Sequence, residues 1–414
     1  MSGIVLSAGV RQNLLSLQST AELLSITQNR MASGKKVNTA LDNPTNFFTA
    51  QGLDNRASDI NNLLDSIGNG VQVLQAANTG LTSLQKLVDT AKSIAAQVLQ
   101  TTTGYTVKSS ATSLAPTGAG ALGVIGTAAD LTNAGTNSLN GKTFVFTPAT
   151  GAATTITVSS TVAAGNVNSI NAFNAALTSA GLGLTASLAS DGSITLTSTN
   201  DHASQTLTTG TTAAANNIAI SGTDTATLVT PTGGAAGAPL ADLNSQTTRA
   251  NLVSQYNNII AQITTTSQDA SFNGINLLFG DDLKLTFNET GKSTLNISGV
   301  TYDAAGLGLA PLIAGTDFLD NSSANAVIAK VSAASDQLRS EASSLGSNLS
   351  IVQIRQDFAK NLINVLQTGS SNLTLADTNE EAANSQALST RQSIAVSALS
   401  LANQSQQSVL QLLR

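Results

Sequence analysis

The chain has 414 residues and a net charge of −6, with 10% charged residues, 3% aromatic residues and no cysteine. An average globular domain carries about 25% charged residues, so this surface is chemically suited to being covered. The acidic balance, with no Lys/Arg cluster beyond Lys35-Lys36, excludes a nucleic-acid partner, and the lack of cysteine excludes a disulfide framework, a thiol nucleophile and a Cys-ligated metal.

The opening stretch MSGIVLSAGVRQNLL has neither a basic n-region nor a cleavage site, and no run approaches the roughly 18 apolar residues of a membrane span. No membrane insertion is expected, and any export would need no cleaved signal.

Leu14, Leu17, Ala21, Leu24 and Met31 then mark a helix seam, broken by Gln28, with Gln12, Ser16, Glu22, Ser25 and Asn29 beside it. Gly34 and Lys35-Lys36 predict the helix stop, with cations at the negative end of the dipole. Asn43-Pro44 predicts a turn.

From Leu53 a 3,4 alternation continues for seven heptads through Ile60-Leu63, Ile67-Gly70, Leu74-Ala77, Leu81-Leu84, Val88-Ala91 and Ala95-Val98. At 1.5 Å per residue this is a helix of roughly 70 Å, too long to stand without tertiary support. Its partner is expected in the second half, where Ala324, Val331, Leu338, Leu345, Val352, Ala359 and Leu366 recur every seventh position. Val327, Ala334 and Leu362 add a second seam, which Glu341, Asn348 and Arg355 interrupt, so those polar residues loosen the packing or specify its register.

Residues 105–240 differ in kind: they hold six Lys and Asp charges and four of the six prolines. Thr143 to Phe146 and Thr154 to Ser159 alternate as strands, and Val167, Ile170, Phe173 and Leu177 predict a short helix. Leu184 to Ser190 and Ser193 to Thr197 predict a hairpin around Asp191-Gly192. A helix over Leu243 to Thr265, with Leu252, Tyr256, Ile259 and Ile263 inward, precedes SFNGINLLFGDDLKLTFNETGKSTLNISG. Turn signals at Asn273-Gly274 and Thr290-Gly291 there predict a hairpin of Leu283 to Asn288 with Ser293 to Ser298.

A last helix is predicted from about Glu380 to Arg414, with Leu388, Ala395, Ala398, Ala402, Val409 and Leu412 on one stripe. Ile394, Leu399, Leu401, Leu410 and Leu413 lie outside it, and apolar groups on so many sides call for burial by more than one partner helix. The fold class expected is mainly α: a long coiled-coil-like helical rod built from both chain ends, a β-hairpin on the rod, and a small separate β-rich outer domain.

The stretches QNRMASGKKVNTALDNPTNF, LQKLVDTAKSIAAQ, SFNGINLLFG and ANQSQQSVLQLLR closely resemble bacterial flagellin, over about residues 1–104 and 241–414. The resemblance implies that residues 1–45 and 370–414 form two terminal helices of a filament core domain. Residues 46–104 and 241–369 would form the rod domain and 105–240 a surface-exposed variable domain, although many flagellins place the outer domain after the hairpin.

It also implies a self-assembling, extracellular, structural subunit for swimming motility, with no enzyme activity, no cofactor and no metal. Implied partners are further copies of the chain, the type III flagellar export apparatus, an export chaperone, the filament cap and the hook–filament junction proteins. The assembly interface is expected at Leu14, Leu17, Leu24, Met31, Ile394, Leu399, Leu401, Val409, Leu410, Leu412 and Leu413.

The rival expectations are a flagellin-like hook–filament junction protein and a monomeric helical-bundle binding protein. The lone His202, in TNDHASQ, has no HExxH, P-loop or G-x-S-x-G company and reads as a surface residue. Asp281-Asp282 reads as the solvated start of a hairpin. Flagellins recognised by the toll-like receptor carry Leu-Gln-Arg-Val-Arg-Glu-Leu, whereas Leu84-Gln85-Lys86-Leu87-Val88-Asp89-Thr90 lacks the second arginine and final leucine, so weak or absent signalling is expected. The Ser/Thr-rich middle offers acceptors for O-linked sugars without locating a site.

Overall fold

A computed structural model describes residues 8–112, 130–132, 139–161, 163–189, 193–211, 213, 217–222, 229–232 and 238–412. In chain order the helices are α1 (Ala8–Ser33), α2 (Pro44–Gln100), α3 (Ile170–Ser179), α4 (Leu243–Asp269), α5 (Asn321–Thr374) and α6 (Thr378–Leu412). The strands before α3 are β1 (Tyr105–Val107), β2 (Ser110–Thr112), β3 (Thr143–Pro148), β4 (Thr154–Val158) and β5 (Asn166–Val167). Between α3 and α4 come β6 (Leu184–Leu188), β7 (Ile194–Ser198), β8 (Thr206–Thr209), β9 (Asn217–Gly222), β10 (Val229–Thr232) and β11 (Leu240–Ala241); β12 (Leu283–Thr286) and β13 (Thr294–Ile297) follow α4.

The chain divides into two units, and α2 and α5 contribute to both. One unit contains residues 1–72, 283–297 and 347–414. There α1 stops where Gly34 takes φ +68°, a conformation that costs glycine little. Asn43-Pro44 is a helix start as well as a turn. The Asn43 side-chain oxygen accepts the Asn46 N–H at 3.0 Å, and proline at the first helical position gives up an N–H that has no intrahelical partner. Hence α2 begins nine residues before the heptads show it.

Within this unit α2 and α5 pack through Ala57, Ile60, Ala359, Ile363 and Leu366. Leu53, Leu64 and Leu362 lie against that cluster, half-buried. The expected hairpin is β12 with β13, antiparallel, Leu283 opposite Ile297 and Thr286 opposite Thr294. It reaches α2 closely at Gly70, where an added β-carbon would collide with the Leu285 methyl groups. Arg355, one of the polar breaks in the α5 seam, lies 5.8 Å over the Phe287 ring, and Arg56 pairs with Glu289 at 2.8 Å. At least one break in the heptads therefore meets the hairpin.

The other unit contains residues 73–282 and 298–346. Leu74, Ala77, Leu81, Leu84, Val88, Ala91, Ala95 and Val98 of α2 are all buried, as are Ala324, Val327, Val331, Ala334 and Leu338 of α5. In α4 the inward residues are Leu252, Val253, Tyr256, Ile260 and Ile263, while Ile259 is half-buried. Adjacent isoleucines satisfy either a 3 or a 4 step, and the packing selects Ile260. Glu341, another seam break, accepts the Tyr302 hydroxyl at 3.1 Å.

The NG turn at Asn273-Gly274, φ +51° and +79°, closes Phe272 and Ile275 in mutual backbone bonds of 3.0 and 3.1 Å. Asp281 and Asp282 are exposed, yet they bind the backbone N–H groups of Asn276 (2.8 Å) and Gly299 (3.2 Å).

Between α2 and α4 the central strands form an insert domain of two sheets, ordered β5-β4-β3-β9-β8 and β10-β2-β7-β6. Phe144, Phe146 and Phe173 meet edge to face at its centre, with Ile156, Leu177, Leu196 and Ile218 around them. The predicted hairpin is β6 with β7, Leu184 opposite Ser198 and Leu188 opposite Ile194; its turn, Ser190 to Gly192, lies outside the described residues. At the root, β1 and β11 pair Tyr105 with Ala241.

The insert is also tied to the start of α5. Ser204 donates to Asp320 at 2.6 Å, and Asp201 accepts the Ser322 N–H at 2.8 Å and the Asn321 amide at 3.2 Å. Asp320 meanwhile caps α5 through the Ser323 N–H at 3.0 Å. His202 packs against the backbone of Gly183 beside this latch.

Candidate functional site

Among the described residues, no group of three or more His, Cys, Asp or Glu side chains could hold a metal ion, and no helix is long and apolar enough to cross a membrane. The surface that stands out is apolar and belongs to α1, α5 and α6.

α1 packs against α6. The covered line on α1 runs through Val10, Leu17, Thr20, Leu24, Thr27 and Arg30, and on α6 through Glu381, Ser385, Leu388, Gln392, Ala395, Leu399 and Ala402. Both follow a heptad, and both mix polar or small residues with a few leucines, so this pair buries little apolar area. Arg30 reaches Glu381 at 3.3 Å across the seam.

The junction between helices is held by the backbone. The Lys36 and Val37 N–H groups donate to the Thr374 carbonyl at 2.7 and 3.3 Å, and the Ala376 N–H donates to the Gly34 carbonyl at 3.0 Å. The Lys35 and Lys36 side chains themselves are exposed. Asp377 then starts α6, accepting the Asn379 N–H at 2.9 Å.

Of the expected interface residues, Leu17, Leu24 and Leu399 lie half-buried on the intrachain seam. Leu14 and Met31 are exposed, as are Ile394 (65%) and Leu401 (68%). Val409, Leu410 and Leu412 have their backbone in α6, but their side chains, and Leu413 altogether, lie outside the described residues.

The expected set also omits several exposed apolar side chains: Leu15, Leu23 and Ile26 on α1, Val396 on α6, and Ile351, Ile354, Phe358 and Val365 on α5. The α5 residues recur at 3, 4 and 7, a helical stripe readable in the sequence, beside the buried line of Val352, Ala359 and Leu366. Monomeric proteins rarely leave so many large apolar groups grouped on helix faces in water. Chemically the surface offers helix-on-helix burial and no reacting group.

Residues 8–115 match the family model for the bacterial flagellin N-terminal helical region, and residues 328–413 match that for the C-terminal helical region. The chain is 33% identical over 165 residues to flagellin FljM of Caulobacter vibrioides, covering 39% of this chain and 59% of that protein, and equally so to flagellin FljK of the same organism. It is 41% identical over 90 residues to flagellin A of Rhizobium meliloti, covering 22% of this chain and 23% of that protein. The match to the Caulobacter proteins thus spans 59% of their length, less than two thirds.

Proposed function

We propose that this chain, which carries both the N-terminal and the C-terminal helical regions of bacterial flagellin, is the structural subunit of a bacterial flagellar filament. The single observation that carries the reading is the set of large apolar side chains exposed on α1 and α6 beside a seam too polar to account for them. In the polymer, copies of α1 and α6 from neighbouring subunits cover those faces. Burying five such side chains contributes roughly 1.5 to 3 kcal/mol each toward the cost of ordering the terminal helices, the rest coming from the helices' own hydrogen bonds and the intrachain seam. Repetition along a helical array makes the assembly cooperative.

On this reading residues 1–45 and 370–414 form the filament core, 46–104 and 241–369 the rod, and 105–240 the outward variable domain. The pairing of Tyr105 with Ala241 at the root of the insert supports the inner boundaries. The subunit acts outside the cell and is not an enzyme; its partners are other copies, the flagellar export apparatus, an export chaperone, the filament cap and junction proteins. Candidate assembly residues are Leu14, Met31, Ile394 and Leu401, together with Val409, Leu410, Leu412 and Leu413 at the end of the chain.

Deleting residues 400–414 tests this. The truncated chain is expected to keep its rod helices and to form no filaments under the electron microscope, while the full chain seeds long filaments by itself. Normal filaments from the truncated chain would overturn the reading, and a full chain that never extends beyond short junction-like oligomers would favour the junction protein.

A further inference from the structure

Among its described residues the insert presents four outer strand edges, and three have evident protection against pairing with another chain. β5 is two residues long. β10 carries Pro231, which has no N–H to offer. On β8 the Leu207 N–H donates to the Ser109 hydroxyl at 2.8 Å.

The fourth edge, β6, is Leu-Thr-Ala-Ser-Leu: five residues, two of them leucine, with no charge and no proline. That composition invites strand addition, and charges that would repel it are scarce throughout residues 105–240. The free side of its central residue is nevertheless occupied. The Asn174 amide donates to the Ala186 carbonyl at 2.9 Å and accepts the Ala186 N–H at 2.6 Å.

One side-chain amide thus reproduces the donor and acceptor that a neighbouring strand would present. α3 holds it in place, because Phe173 and Leu177 on the same helix are buried in the insert core.

We infer that Asn174 is an edge guard that keeps β6 from pairing with β6 of a second copy. In a filament the inserts of adjacent subunits would be crowded together, so the guard matters most there; that clause rests on the filament reading, but the geometry does not.

The test is sedimentation of the full chain at concentrations below the onset of polymerisation. Asn174→Ala should dimerise with a dissociation constant lowered by about tenfold or more, the worth of one or two hydrogen bonds. Asn174→Asp, which keeps the acceptor and loses the donor, should lie between the mutant and the parent. Adding Ser187→Lys, a charge on the opened edge, should return either variant to monomer.

Circular dichroism checks the fold; if Asn174→Ala unfolds, Asn174→Asp with and without Ser187→Lys makes the same comparison. A folded variant as monomeric as the parent, or a dimer indifferent to Ser187→Lys, would overturn the inference. A parent chain that fails to form filaments would count against the filament reading and leave this comparison intact.

Discussion

Arg30 and Glu381 form an ion pair of 3.3 Å that links α1 to α6, with the carboxylate largely buried and the guanidinium partly exposed. Partial exposure discounts the attraction, yet removing the cation leaves a carboxylate with little access to water. Arg30→Ala should destabilise the α1/α6 pair by about 1 kcal/mol and speed amide exchange in both helices. The swapped pair Arg30→Glu with Glu381→Arg should recover part of that loss.

Gly70→Ala sets two effects of known size against each other. A β-carbon there collides with buried Leu285, an overpacking that costs about 1 to 3 kcal/mol, while alanine in a helix gains about 1 kcal/mol over glycine. The substitution should therefore be neutral to destabilising alone and stabilising by about 1 kcal/mol in a Leu285→Ala background. Denaturant unfolding of the four chains of this cycle would show the change of sign.

Arg249 is 1% exposed and ties three segments together, donating to the Phe318 carbonyl at 2.9 Å, the Thr102 carbonyl at 3.2 Å and the Asn321 side chain at 3.4 Å. Burial draws its pKa down from the ordinary arginine value, and nearby Asp320 opposes that. Arg249→Met would relieve the buried charge but orphan two carbonyls at about 1 to 3 kcal/mol each, for a net loss of about 2 to 4 kcal/mol. Hydrogen exchange should show the loss around α4 and the start of α5. Arg249→Lys should recover only part, since an ammonium cannot reproduce the planar fork.

All three tyrosines are held protonated by burial. Tyr256 and Tyr302 are pushed up to about 12, with Asp317 and Glu341 respectively adding to the effect, and Tyr105 is raised as well. A group whose folded pKa is raised stabilises the fold fully below its unfolded value, about 10, and loses that contribution as pH rises through the folded value. Stability should fall between about pH 10 and 12, and tyrosinate absorbance should rise together with loss of helical circular dichroism. A tyrosine titrating near its ordinary value in the folded chain would contradict this.

Much of the architecture was legible because heptads repeat often enough to average out local exceptions. The α2 and α5 seams and the β6/β7 and β12/β13 hairpins have that redundancy or a glycine turn to mark them. Single choices were not legible: Ile259 against Ile260 is decided by packing, and Asn43 reads equally as a turn residue and a helix cap. Arg249 and Asn174 left no signal, because each serves partners 69 to 147 residues away or on a strand edge that no periodicity identifies. At the apolar surface, the sequence pattern set Ala398 on the covered stripe and Leu399 outside it, and the packing reverses the two: Ala398 is exposed and Leu399 is half-buried on the seam. Only the packed pair separates Leu399, on the intrachain seam, from Ile394 and Leu401, which face away from it.

That division supplies the most direct measurement: electron microscopy of filament formation by the full chain carrying Ile394→Ser and Leu401→Ser, with circular dichroism of the same preparation. Unchanged helical content with no filaments is the expected result. Filaments as long and as numerous as those of the parent would mean that these faces are not what neighbouring copies cover.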